Sequence, residues 1–367
     1  MSVMLCYGHR PGLEVQSFFC FSPGRLSQLA GERENDKPVA CTPSLLLLPD
    51  FPLSCRCCFR KTTASRAEVV RPTALTPRRR DRMTHTCLIT GATGIVGSHL
   101  AEACKARGMT VRALVRSTSE TQFLRELGVE LATGDLTDAD SLRRAMVGVD
   151  HVFHCAAKVG DWGPVEEYRA VNVESLRAML EAAPAGLKRF VYLGSLGVYP
   201  ARHHYGSDES EPLPEKHFDG YTQSKVEAEK LALQYHRERG IPVVVLRPGF
   251  IYGPRDRTVF PPLVKNLRAR RVRYMLGGRK RLMNCIYVLN LVEAFFLAIE
   301  KDEAVGQAFN LTDGEAVTKQ RFLETICAGL NLPRPRPIPA PLFLARWVAR
   351  WMEHRARKRG DTQAPTV

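Results

Sequence analysis

Three residues in this chain have side chains and spacing suited to moving a proton beside a hydride carrier. Tyr221 and Lys225 stand as Tyr-Thr-Gln-Ser-Lys, and on a helix positions i and i+4 share a face, so phenol and ammonium converge. A phenol titrates near about 10, and a neighbouring cation favours its anionic form. Such a tyrosine can exchange a proton with a hydroxyl while a nicotinamide moves the hydride. Ser195 follows the apolar run Arg189–Leu193, where its hydroxyl can hold the reacting oxygen. Taken singly, each has a plainer reading: Tyr-x-x-x-Lys as a surface pair, Ser195 as a capping serine.

The cofactor signal is the stretch Thr90–Leu100, TGATGIVGSHL. It follows the short apolar run Cys87-Leu88-Ile89 and opens a helical pattern through Ala101–Cys104. Strand, glycine turn and helix start, in that order, let backbone N–H groups approach a pyrophosphate. Gly91, Gly94 and Gly97 are spaced GxxGxxG rather than the general GxGxxG, and a glycine turn in an ordinary βα unit needs no ligand. Arg116 lies nineteen residues after Gly97, at the end of the second expected strand. An acid there suits the ribose hydroxyls of NAD, whereas arginine suits the 2′-phosphate of NADP. NADP is therefore the preferred expectation, with NAD as the alternative and a solvated surface arginine as the plain reading. Asp135 either accepts from an adenine amino group or serves as a turn or N-cap residue.

The elements that position these residues alternate from Thr84 onward. Thr110–Val115, Glu130–Thr133, Asp150–Cys155, Arg189–Leu193, Pro242–Leu246 and Gln307–Leu311 follow the first strand. Helical patterns cover Asp138–Met146, Val165–Ala182, Tyr221–Arg239 and Asn290–Glu300. Alternating strands and helices predict an α/β fold, a doubly wound parallel Rossmann sheet with its ligand crevice at the carboxyl ends of the strands. Three irregular stretches gather at those ends: 156–164, 197–220 and 250–281. Long loops in compact domains are commonly functional, so these are expected to form the substrate site, the last two as insertions.

Composition bounds the rest. The chain has 367 residues and a formal charge of +15. Residues 1–82 hold 13 basic and 7 acidic side chains, 334–359 hold 8 basic and 1 acidic, and Asp361 adds one further acid, leaving only +3 for 83–333. Basicity confined to the ends does not predict a nucleic-acid partner. Eleven cysteines, six of them within residues 1–58, show no zinc-ligand spacing. Cys87, Cys104, Cys155, Cys285 and Cys327 lie in apolar patterns and are expected as free buried thiols. No metal is expected, and His203 and His204 are expected as loop residues. No apolar run reaches the roughly 20 residues of a membrane span, and the absence of a disulfide pattern predicts a cytoplasmic protein. Residues 1–82 lack periodicity and are expected to be a disordered or non-native extension, with Met83 close to the true start; 83–333 form the dinucleotide-binding domain and 334–367 a basic tail.

Glycine turn, Ser195 and the Tyr221/Lys225 pair, in register with the sheet, resemble the extended short-chain dehydrogenase/reductase family over about Thr84 to Leu332. The matching pieces are TGATGIVG, GDL at 134–136, HVFHCAA at 151–157, Asn172-Val173, FVYLGSLGVYP at 190–200, YTQSK, RPGFIYGPRD at 247–256 and YVLN at 287–290. The resemblance implies Ser195 as the hydroxyl-orienting group, Tyr221 as proton donor and acceptor, and Lys225 as ribose anchor and modulator of the phenol. It also implies a cofactor site of Gly91, Thr93, Gly94, Ile95, Val96, Gly97, Arg116, Asp135, Leu136, Ala156, Ala157, Asn172, Pro248 and Ile251, together with Tyr221 and Lys225.

Within the family, dehydratases carry an acid just after the catalytic serine or threonine, and here Leu196-Gly197 follow Ser195. Nucleotide-sugar epimerases commonly carry asparagine where Phe250 stands, and an apolar residue suits a greasy substrate. AAKVGDWG, with Lys158 and Trp162, is similar to the 3β-hydroxysteroid/sterol dehydrogenase branch and the related 2-alkyl-3-keto acid reductases. The first reading is an NAD(P)-dependent alcohol/ketone oxidoreductase on a sterol-like or long-chain keto acid substrate, contacted by Lys158, Trp162 and Phe250. The alternatives are a nucleotide-sugar epimerase and a non-catalytic NADP-binding protein. The tail at 341–359 alternates apolar residues, including Trp347 and Trp351, with six Arg and Lys. It is read as a helix covering a small C-terminal substrate-binding portion or as an interfacial helix on anionic lipid, a peripheral membrane contact. Family members of this kind usually continue beyond this helix, so the pocket is expected to be small, completed by a homodimer partner, or truncated.

Overall fold

The computed structural model describes residues 85–340, apart from 161–162, 201–203, 205–206, 218, 273, 277–279 and 336, and scattered positions between 347 and 358. The expectations for residues 1–82 lie outside the described residues.

Seven strands form one sheet: β1 (Thr86–Thr90), β2 (Thr110–Val115), β3 (Glu130–Thr133), β4 (His151–His154), β5 (Arg189–Leu193), β6 (Val243–Pro248) and, late in the chain, β11 (Ala308–Leu311). Their order is β11-β6-β5-β4-β1-β2-β3, and every pairing is parallel. The expected α/β doubly wound sheet is therefore present, with shifts of one or two residues at the ends of β4, β6 and β11. Between β1 and β4 the winding reverses, and such a switch point opens a crevice at the carboxyl ends.

Both faces of the sheet are buried, and the period of two shows it. Cys87 and Ile89 of β1 join one core with Val191, Val244, Leu246, Phe295 and Phe296, while Leu88 joins the other with Val152, Phe190, Tyr192, Val243 and Val245. Buried parallel strands read as continuous apolar runs for this reason. The first face is covered by α1 (Ile95–Ala106) and, late in the chain, α8 (Val288–Glu300). Phe153 meets Phe295 edge-on at 5.6 Å, each buried ring contributing about 2–3 kcal/mol. The shorter α2 (Gln122–Glu126) precedes β3. The second face is covered by α3 (Ala139–Met146), α5 (Ser175–Glu181) and α6 (Gly220–Arg239).

The helix expected over Val165–Ala182 is divided. It runs as α4 (Val165–Arg169), a π turn (Ala170–Glu174) and α5, and π turns inside helices often accompany functional sites. The long α6 is well bounded: Asp219 accepts from Thr222 N at 2.8 Å at its start, and Gly240, at φ +67, ends it in the left-handed conformation.

The insertion after β6 is structured. It contains β7 (Phe250–Tyr252), α7 (Phe260–Arg268) and β8 (Tyr274–Leu276), followed by β9 (Leu282–Met283) and β10 (Cys285–Tyr287). β12 (Val317–Thr318), α9 (Lys319–Gly329) and β13 (Ile338–Ala340) follow β11. β7 pairs with β10, β9 with β12, and β8 with β13. A small separate core of Leu263, Leu267, Met275, Leu323 and Cys327 holds this portion together.

Candidate active site

The glycine turn follows β1 at the switch point. Gly91 sits at φ +70, and a Cβ there would lie 2.8 Å from Ala156 N, so the turn presses against the segment leaving β4. Gly97 is tighter: its Cβ would fall 2.3 Å from Gly91 O. Thr90 Oγ1 fastens the same junction by accepting from Ala156 N at 3.1 Å and pairing with His154 Nδ1 at 2.9 Å. Gly94 is exposed, N-caps α1 with no side-chain hydrogen bond, and no acid occupies the first turn. An uncapped helix start reached through glycine is the geometry that receives a pyrophosphate, so these residues fit a dinucleotide. Thr93 and Ile95 are half-buried beside it and Val96 is buried.

At the end of β2, Arg116 is exposed. Asp135 makes a turn, accepting from Thr137 N at 2.9 Å and Thr137 Oγ1 at 2.7 Å. Those two bonds, opposed by partial burial and aided by the Arg116 charge, hold its carboxyl below the usual range. Arg116 follows β2 and Asp135 follows the neighbouring β3, with half-buried Leu136 next in the chain. The N-cap of α3 is Asp138 rather than Asp135.

Ser195, Tyr221 and Lys225 come from two neighbouring elements. Ser195 caps a 3₁₀ turn (Leu196–Val198), its Oγ accepting from Gly197 N at 3.0 Å. That hydroxyl keeps its proton to donate. Gly197 packs on the residue next to Tyr221: a Cβ added there would stand 3.3 Å from Thr222 Cγ2. Tyr221 is half-buried in the first turn of α6. One turn on, Lys225 is buried, and its Nζ donates to Leu193 O at 2.7 Å, two residues before Ser195.

Burial pushes the Lys225 ammonium down to about 8, with Cys155 and Glu229 opposing the shift. Its Nζ also lies 4.8 Å from the centre of the Tyr192 ring. Burial likewise keeps His154 neutral, pushed down to about 3 with Lys225 adding to the effect, and raises the Cys155 thiol far above its ordinary value. Lys225 is the group here that carries charge near neutrality.

Asn172 uses its amide on the protein itself. Its Oδ1 accepts from Lys158 N at 2.7 Å, and its Nδ2 donates to Lys158 O at 3.0 Å and to Ser224 Oγ at 2.9 Å. Ser224 Oγ in turn donates to Tyr221 O at 2.7 Å. Asn172 therefore ties the Ala156-Ala157-Lys158 segment to the helix that carries Tyr221. Ser224, between Tyr221 and Lys225 in the chain, escapes a sequence reading because nothing in its type announces that bond.

The Lys158 ammonium is engaged by Glu167, and Trp162 lies outside the described residues. Pro248 is buried at the end of β6, and Ile251 on β7 is half-buried. Phe250 meets Phe322 edge-on at 5.7 Å, and Phe260 meets Phe322 at 6.0 Å. Phe260 and Phe322 were not among the expected site residues; α9 brings Phe322 across from a distant part of the sequence. Among the described residues no cluster of His, Cys, Asp or Glu could hold a metal ion. His204 is buried in its loop, held by Ser207, Glu211 and Pro200 O.

Residues 87–312 match the model of the NAD dependent epimerase/dehydratase family. The chain belongs to that family. The family's members are nicotinamide-dependent, and this chain is an oxidoreductase of the extended short-chain dehydrogenase/reductase branch. It is 37% identical over 237 residues, 64% of this chain and 70% of the relative, to a 4-hydroxy-2-methyl-3-oxo-4-farnesyl-3,4-dihydroquinoline-1-oxide ketoreductase of Stigmatella aurantiaca. To a 3-beta-hydroxysteroid dehydrogenase of Mycolicibacterium neoaurum it is 33% identical over 264 residues, 68% of this chain and 72% of that one. Among solved structures, a UDP-glucuronic acid 4-epimerase from Bacillus cereus in complex with UDP-glucuronic acid and NAD superposes with a TM-score of 0.60 at 23% identity. It covers 70% of this chain and 85% of that one, a likeness of fold alone. The family's cofactor type agrees with the glycine turn and the uncapped α1.

Proposed function

We propose that this enzyme interconverts a secondary alcohol and a ketone on a hydrophobic small molecule, sterol-like or a long-chain keto acid, with NADP preferred over NAD. The observation that carries the reading is the buried Lys225 ammonium, tied to Leu193 O beside Ser195 and one helical turn from Tyr221. A bound nicotinamide supplies or accepts the hydride at the carbon.

The chain's own groups do the rest. The Ser195 O–H donates to the substrate oxygen and fixes its position. Tyr221 gives a proton to that oxygen during reduction and takes it back during oxidation. The Lys225 cation favours the phenolate form and anchors the ribose hydroxyls. The first turn of α1, reached through Gly91, Gly94 and Gly97, receives the pyrophosphate, and Arg116 takes the 2′-phosphate. The Phe250–Phe322–Phe260 contacts line the substrate side with apolar surface, which supports a greasy substrate over a nucleotide sugar. The names of the two relatives above, a farnesylated quinoline ketoreductase and a hydroxysteroid dehydrogenase, support the same class.

Two assays are run side by side: oxidation of NADPH and NADH with a panel of sterol ketones and 2-alkyl-3-keto acids, and incubation of UDP-sugars with NAD followed by chromatographic detection of the epimer, a conversion that consumes no net cofactor. Turnover of the apolar ketones supports the reading. Turnover of UDP-sugars alone establishes the epimerase instead, and cofactor binding without any turnover leaves a non-catalytic protein.

For the tail, the proposal is a contact with anionic lipid. No helix among the described residues is long and apolar enough to cross a membrane. Trp347 and Trp351 are 66% and 51% exposed, and Arg355 lies 4.6 Å from the Trp351 ring, an arrangement suited to an interface. Flotation with phosphatidylglycerol vesicles, with and without residues 340–367, tests it; equal recovery contradicts it.

A further inference from the structure

The face of α6 that carries Tyr221 and Lys225 continues one turn further to Glu229, at i+8 from the tyrosine. Glu229 is fully buried. Its carboxylate accepts from Arg247 Nε at 3.0 and 3.1 Å and from the Arg247 terminal nitrogen as well. Arg247, itself 3% exposed on β6, spends its other terminal nitrogen on Tyr199 Oη at 2.6 Å. Tyr199 is the residue that closes the 3₁₀ turn begun by Ser195. Its hydroxyl has Asn310 Oδ1 at 2.9 Å and Asp208 O at 3.1 Å as acceptors, so the chain of contacts reaches β11. A single guanidinium thus joins the helix of Tyr221 and Lys225 to the turn of Ser195.

Stability alone is a poor reason for this arrangement. Burying an ion pair costs desolvation that its attraction barely repays, and well-packed apolar residues often do as well. A planar fork does what apolar packing does not: it fixes distance and angle between the groups it bonds. The groups facing Lys225 are Cys155 and His154 from the β4 side, Tyr192 from β5, and Glu229 from its own helix. Among these Glu229 is the carboxylate, and Arg247 is the charge that partly offsets it.

We propose that Glu229 and Arg247, acting through Tyr199, are positioning residues that set the spacing between Ser195 and the Tyr221/Lys225 pair and balance the charge around Lys225. The proposal rests on the Ser-Tyr-Lys reading above. Neither residue touches substrate in it.

The test compares Glu229→Gln, Arg247→Met and the double variant in the full chain, measuring kcat, KM and the pH profile of kcat. Loss of the Lys225 cation above about 8 gives kcat an alkaline limb, and removing the carboxylate moves that limb to lower pH, by about one unit for a charge one helical turn away. Removing the guanidinium moves it to higher pH. All three variants lose roughly tenfold or more in kcat, while KM for the cofactor stays within about threefold. Opposite displacements are what a merely structural pair would not produce. Limbs that stay in place, or move in the same direction, overturn the charge role. If either single variant does not fold, the neutral double variant decides: its lowered kcat with intact cofactor KM supports the proposal, and wild-type kcat overturns it. If Tyr221→Phe retains turnover, the underlying mechanism has failed; if it abolishes turnover while these variants behave as wild type, only this inference has.

Discussion

Lys225 Nζ donates a 2.7 Å hydrogen bond to the carbonyl oxygen of Leu193, the last residue of β5. The bond crosses from helix to sheet two residues before Ser195. It fixes the ammonium at the carboxyl edge of the sheet, although burial works against its charge. The balance puts its titration at about 8.

A pH dependence follows directly. The cation is present below about 8 and is lost as pH rises through that value, so kcat should fall along an alkaline limb near pH 8. Unfolding does not account for such a limb. In the unfolded chain this group titrates near 10.5, so between 8 and 10.5 the unfolded state binds more protons and Lys225's own contribution to stability rises with pH. Thermal melts across pH 7–9, set beside the kcat profile, separate the two. Lys225→Met should remove the limb together with most of the turnover.

Gly97→Ala should destabilise the protein. The added methyl would sit 2.3 Å from Gly91 O and 2.7 Å from Ala92 Cα, backbone atoms that cannot swing aside. Overpacking of this kind costs about 3 kcal/mol, or roughly 6–12 °C in Tm for a domain of this size. Dinucleotide affinity should fall as well, since α1 must move away from the turn. A melting temperature unchanged from wild type would contradict the packing described here.

How much of this was legible beforehand varies by element. The central strands β4, β5 and β6 were legible because every residue in them is buried and they read as apolar runs; Phe190–Leu193 is the plainest instance, whereas edge strand β3 has no fully buried residue. The division of the helix near Asn172 was not. Its sequence keeps a helical pattern, and the π turn coincides with an amide bonded to Lys158 and Ser224, partners distant in the chain. Tyr221 and Lys225 were legible through the period of α6. Glu229 and Arg247 stand in plain view in the sequence, but only the fold shows both as buried and joined. Phe250 was picked out by its type, whereas Phe322 meets it only because α9 folds back. Strands of two or three residues such as β9 and β12 carry too little pattern to be read at all.

Arg116 should decide between the two dinucleotides. Its exposed guanidinium, close enough to Asp135 to lower that carboxyl, is available for a phosphate. Arg116→Ala should raise KM for NADPH by about tenfold or more, the worth of a charge-assisted hydrogen bond, and leave KM for NADH nearly unchanged. Equal effects on both cofactors would remove Arg116 from the 2′-phosphate site.

Tyr221→Phe removes the hydroxyl proposed to pass the proton. The change deletes one oxygen from a half-buried side chain in the first turn of α6 and leaves the glycine turn and Lys225 in place. The measurement is turnover of an apolar ketone substrate together with dinucleotide binding by titration calorimetry on the same preparation. Binding stays within about twofold of wild type and kcat falls by about 10²–10⁴-fold, the range of a lost general acid–base. Undiminished turnover with the dinucleotide bound would contradict that role for Tyr221.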